Sequence, residues 1–124
     1  NAILLIAIFL SSVANAASCL SESEKNTIDR NYTNSEEKYG HIGIDCRVPS
    51  LKTFCSDPYY VKMTDTIIRM IVWDTEQELK EQYSPKDLSN LVDIFTDEAV
   101  KETCESLKIT FFRNIRAKEV WDKN

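Results

Sequence analysis

Glycine is almost missing from this chain: Gly40 and Gly43, on either side of His41 and Ile42, are the only two in 124 residues. Loops that bring backbone close to a phosphate or present a nucleophile on a sharp elbow need glycine at fixed positions. No G-x-G-x-x-G, Walker-type or G-x-S-x-G motif can therefore be written, which excludes the usual mononucleotide and dinucleotide enzymes. Histidine is scarcer still. His41 is the only one, and in a Gly-flanked turn it reads as an exposed side chain rather than a general base. With one His and no C-x-x-C pair, zinc-finger and thioredoxin-like spacings are absent, and no metal or cofactor is expected. An excess of basic charge is also lacking. Fifteen Lys and Arg against 20 Asp and Glu give a formal charge of −5, so the chain as a whole does not attract nucleic acid or anionic lipid.

Long apolar runs are confined to the N-terminus. Ala2 to Leu10 is apolar, and Ala14 and Ala16 then fall as an A-x-A cleavage site, the pattern of an export signal over residues 1–16 with cleavage after Ala16. The run is well short of the roughly 20 residues that a spanning helix needs, so no membrane span is expected. With neither an initiator Met nor a basic stretch ahead of it, the run is expected to begin inside a longer precursor. Residues 17–124 then form a single secreted, extracellular domain, which at this size buries about 65% of the surface its unfolded chain exposes. Such a core leaves a modest margin, and cross-links matter.

Four cysteines lie beyond the signal: Cys19, Cys46, Cys55 and Cys104. An even count behind an export signal is read as two disulfides. Three connectivities are open and spacing does not choose among them. Cys46 to Cys55 would close a short loop around Pro49, whereas Cys104 joined to an N-terminal cysteine would staple the end of the domain to its beginning.

Helical signals dominate what is present. Asp57 can cap a helix whose first residue is Pro58, and Tyr60, Met63, Ile67, Met70 and Ile71 recur at spacings of three and four through Tyr83. Ser84-Pro85 breaks this helix and starts a second, with Asp87 placed to answer the capping Ser84 and with Leu88, Leu91, Val92 and Phe95 on its apolar face. Thr96, followed by Asp97 and Glu98, reads as a further start, from which Val100, Cys104, Leu107, Phe111 and Ile115 form one stripe. Between Ser18 and Tyr39 the chain is polar and reads as a marginal helix or an ordered coil tethered at Cys19. It carries the glycosylation sequon Asn31-Tyr32-Thr33, which marks a solvent-facing position in an exported eukaryotic protein. The expected fold is mainly α, a small disulfide-stabilised domain of three to four helices. The alternative is α+β, because residues 67–73 and 107–113 are rich in strand formers.

Three constellations can carry function. Glu98, Glu102 and Glu105 fall on one face of the helix expected from Thr96, where a solvated face with an Asp97–Lys101 pair is the plain explanation and a hard-cation site the sharper one. Arg113, Arg116, Lys118 and Trp121 make a basic, aromatic tail that can dock an acidic partner or complement a helix dipole. Tyr60, Met63, Met70, Phe95 and Phe111 can line an apolar cavity or simply form the core. These point to a binding protein, acting on a protein partner or carrying a small apolar ligand. The alternative is a small secreted hydrolase with carboxylates as acid and base.

Overall fold

The computed structural model describes residues 19–40, 42–79 and 84–123, with side chains described as far as Val72 in the central helix and Lys118 in the last. Residues 1–18, which include the expected export signal, His41 and the side chain of Trp121 lie outside the described residues. Among the described residues five helices run in order: α1 (Glu22–Tyr39), a one-turn α2 (Lys52–Cys55) entered through a 3-10 turn (Pro49–Leu51), α3 (Pro58–Leu79), α4 (Pro85–Ala99) and α5 (Cys104–Lys123). No strand occurs among the described residues, so both β-prone stretches are helical.

Helix α3 is the hub, and α1, α2, α4 and α5 all pack on it. Seven consecutive residues, Met63 to Arg69, are buried. Four of them, Thr64, Asp65, Thr66 and Arg69, are polar or charged, so the helix is covered here without an unbroken apolar run, and the strand-like stretch 67–73 overlaps only its second half. Its start is as the residues dictate: the Asp57 carboxylate accepts from the Tyr59 N–H at 2.9 Å, and Pro58 follows as first helical residue. Around Met63 and Ile67 the core gathers Leu20, Ile28, Phe54, Ala99, Leu107, Phe111 and Ile115.

The helix boundaries differ from expectation at two places. The polar stretch before Tyr39 is a full helix, started by a reciprocal box in which Glu24 N–H donates to Ser21 Oγ and Ser21 N–H donates to the Glu24 carboxylate. That Ser21 N–H also holds the Glu24 carboxyl below its usual range. Further on, no helix starts at Thr96. Helix α4 runs through it, with Thr96 Oγ1 donating back to Val92 O at 2.8 Å, and the break comes at residues 100–103. Thr103 and Ser106 then cap α5 through mutual side-chain to N–H bonds of 2.9 and 3.1 Å. Glu98, Glu102 and Glu105 consequently belong to α4, the connection and α5, and share no helical face. Val100 leaves the stripe and is 37% exposed, while Leu107, Phe111 and Ile115 remain buried on it.

Ser84 caps α4 reciprocally with Asp87, so α3 and α4 are separate helices. The cysteines pair Cys19–Cys104 and Cys46–Cys55, with Cα separations of 6.0 and 5.9 Å. One bridge ties the entrance of α1 to the first residue of α5. The other pins the connection after α1 onto α2. That connection passes so close to α3 that a Cβ on Gly43 would stand 2.6 Å from Asp65 Oδ1, which accepts the Ile44 N–H at 2.9 Å.

Candidate functional site

Helices α3, α4 and α5 do not close completely on one another, and a cleft of about 190 Å³ lies between them. Ile67, Ile68 and Ile71 form its α3 wall, Phe95 and Ala99 its α4 wall, and Leu107 its α5 wall. The amphipathic faces that bury these side chains are the ones that make the helices, so the cleft runs from core side chains out to solvent. Its polar lining is sparse: Thr64, Thr110 and Asn114 on the helices, Glu98 and Glu102 at the solvent edge. Asn114 is occupied, its Nδ2 donating to Thr110 O at 2.8 Å.

Thr64 is different. It is 2% exposed, and its hydroxyl has no hydrogen-bond partner. Two positions along α3, Thr66 Oγ1 donates to Lys62 O at 2.7 Å, the ordinary way for a helical threonine to satisfy itself. A buried hydroxyl left unpaired costs free energy that an apolar side chain of the same shape avoids. Thr64→Val is therefore expected to raise stability by about 1 kcal/mol, read as a higher midpoint at unchanged slope in urea. A midpoint lowered by the substitution would mean that the hydroxyl is satisfied in the folded protein.

The other sequence-selected residues are dispersed. Met63 and Phe111 are fully buried in the core, Tyr60 packs on that core with its ring 5.5 Å from Phe54, and Phe95 alone of the five reaches the cleft. Met70 instead lines a second, more polar hollow of about 240 Å³ between α1, α3 and α5, together with Asn31, Lys38 and Lys118. Asn31 stands in the middle of α1, half-buried, with its Nδ2 donating to Thr27 O at 2.8 Å. Arg113 and Arg116 are exposed on α5. Lys108, by contrast, is engaged: its Nζ donates to Cys19 O at 2.9 Å and pairs with Glu24 and Glu105 at 3.4 and 3.3 Å.

The comparisons return nothing. The chain matches no family model, no curated protein and no solved structure.

A second polar feature, which the apolar periodicity gave no hint of, runs along the α1–α3 seam. Arg69 sits in the middle of the apolar run of α3 and is 3% exposed. Its guanidinium lies 4.8 Å from the centre of the Tyr32 ring, Nη1 donates to Ser35 Oγ at 3.2 Å, and Nη2 faces Glu36 at 3.7 Å and Asp65 at 3.9 Å. Burial pushes the Asp65 carboxyl above the usual range, against the Ile44 N–H and Arg69, which favour its charged form. One turn earlier Lys62 meets Asp29 at 2.7 Å, and that hydrogen bond raises the lysine above its ordinary value. Lys62 and Arg69 of α3 meet Asp29 and Glu36 of α1, so this arrangement joins helices.

Proposed function

We propose that this is an exported, disulfide-bonded binding protein that carries a small apolar ligand in the α3–α4–α5 cleft. The observation that carries the proposal is a predominantly apolar cleft between three of the helices that form the core. An apolar cavity of about 150 Å³ is enough for benzene, so 190 Å³ suits one ring with a short substituent or a compact aliphatic of similar size. Export agrees with two disulfides in a chain whose described helices include none long and apolar enough to cross a membrane. A hydrolase would need two carboxylates converging on a substrate inside the cleft, and the two that reach it, Glu98 and Glu102, are exposed side chains.

A specific observation also favours the protein-partner reading. Ile109, 49% exposed, shares an outward stripe of α5 with Arg113 and Arg116 at spacings of four and three. A stripe this narrow supports weak docking to an acidic partner, and it leaves the cleft free.

The test is thermal unfolding with a neutral probe, 2-phenylethanol, on the parent protein and on Ala99→Leu, which adds bulk to the cleft wall. At ten times its Kd a ligand bound only to the folded state stabilises by about 1.4 kcal/mol, which moves the melting temperature of a domain this size by several degrees. The parent is expected to shift and the variant to stay still. Equal shifts in both would place binding elsewhere, and no shift in the parent would remove the carrier reading. Native mass spectrometry of protein from its own source reports any retained ligand, along with cleavage after Ala16 and a glycan on Asn31.

A further inference from the structure

We propose that Asn31 carries an N-linked glycan whose first sugar fills the hollow between α1, α3 and α5. This shares only the export with the carrier reading and leaves the α3–α4–α5 cleft untouched. Two independent observations meet at one residue. Asn31-Tyr32-Thr33 is a glycosylation sequon, and the same Asn31 lines the hollow of about 240 Å³. Helical geometry brings its neighbours to it: Asn34, Ser35 and Lys38 follow at spacings that put all four on one face of α1. On a face turned toward a neighbouring helix these positions would ordinarily be apolar. Here they are two amides, a hydroxyl and an amine, opposite Thr66 and Met70 of α3. Asn34 and Lys38 are exposed, so the hollow opens to solvent.

A sugar suits this mixed lining. Its hydroxyls and acetamido group need hydrogen-bond partners, which Asn34 and Lys38 supply at the rim, and its C–H face needs apolar surface, which half-buried Met70 supplies. A cavity of about 150 Å³ holds one benzene, so about 240 Å³ accepts one six-membered sugar ring with its substituents, and the remaining sugars leave through the open rim. Attachment belongs to the unfolded chain, because in the folded protein Asn31 is half-buried in mid-helix with one Nδ2 hydrogen on Thr27 O at 2.8 Å. On the export route the donor is a lipid-diphosphate-linked oligosaccharide. Asn31 Nδ2 bonds to its anomeric carbon, the anomeric C–O bond breaks, the lipid diphosphate leaves with the electron pair, and the amide gives up one proton. The second amide hydrogen is kept for Thr27 O once α1 forms, which orients the sugar along the hollow.

The chain has two methionines, Met70 on the wall of the hollow and Met63 fully buried in the core, so methyl-13C methionine labelling gives one reporter of the site and one control. The full chain, secreted from a eukaryotic host, is compared in three forms. These are the intact glycoprotein, the same protein trimmed by an endoglycosidase to the single sugar on Asn31, and Thr33→Ala, which removes the sequon at an exposed position. The Met70 methyl signal is expected at one position in both glycosylated forms and at another in Thr33→Ala, with a nuclear Overhauser contact to the acetyl protons of the sugar and with Met63 unmoved. Both glycosylated forms should melt about 4 °C or more above Thr33→Ala, since the first sugar alone makes the contacts. A Met70 signal unchanged in all three forms, or a trimmed form that melts with Thr33→Ala, would place the glycan in solvent and overturn the proposal. Equal displacement of both methyl signals would mean a change throughout the core and would overturn the local assignment. An unmodified Asn31 in the secreted protein, read from its mass, would remove the occupant altogether.

Discussion

Removing the Cys19–Cys104 bridge by the paired substitution Cys19→Ser and Cys104→Ala is expected to lower the unfolding free energy by about 2–5 kcal/mol, whereas Glu102→Ala stays within about 0.5 kcal/mol. The bridge spans 85 residues of sequence, against nine for Cys46–Cys55. In the chain-entropy account these loops correspond to about 4.5 and about 2.6 kcal/mol, so the long bridge contributes more. Its site amplifies the effect. It joins the residue before the Leu20 core contact to the first residue of α5, and Lys108 depends on the same junction for its bond to Cys19 O. Since the cross-link also restrains the denatured chain, the denaturant slope should rise as the midpoint falls. A midpoint equal to that of Glu102→Ala in non-reducing urea would show that the bridge contributes nothing to the folded domain. Total stability in a domain of this size is roughly 5–15 kcal/mol, so the expected loss is a large share of it.

The second large effect concerns Arg69. Arg69→Met keeps the bulk of the side chain but leaves the buried Asp65 without its nearest cation, and breaking a buried pair from one side costs on the order of 3 kcal/mol at neutral pH. The dependence on pH identifies the cause. Burial already raises Asp65 above its unfolded value, and losing Arg69 raises it further. A carboxyl whose folded pKa is raised binds more protons folded than unfolded. Its unfavourable contribution is therefore absent below the unfolded value near 3.8, grows as pH rises above it, and is complete once pH passes the folded value. The deficit of Arg69→Met should thus be smaller in acid than at pH 7, a window set by Asp65. Adding Asp65→Asn should recover part of the loss at pH 7, because the residue left facing the gap is then neutral and can still accept the Ile44 N–H. A deficit of the same size at both pH values, with no recovery in the double variant, would assign the effect to packing over Tyr32 rather than to charge.

Two kinds of physics separate what the residues alone decided from what they left open. Helix starts are local: Asp57-Pro58 and Ser84-Pro85 with Asp87 act within one turn, so the N-termini of α3 and α4 were determined before any packing. The stripe of Leu107, Phe111 and Ile115 is equally local, since spacing alone places side chains on one face. The box at Ser21 and Glu24 is just as local, but the stretch behind it is too polar to announce a buried face and so reads between helix and coil. At Thr96 the same reasoning misled. A Thr followed by acidic residues satisfies the cap pattern, but Thr96 has an alternative partner in Val92 O, and the helix continues past it. Only the tertiary structure decided which cysteines meet, whether the apolar run of α3 is strand or helix, and that Arg69 lies inside it. Each of these depends on residues tens of positions apart coming into contact. The cleft belongs to the same class, because a gap between three helices is a property of how their faces fail to meet, and no single face encodes it.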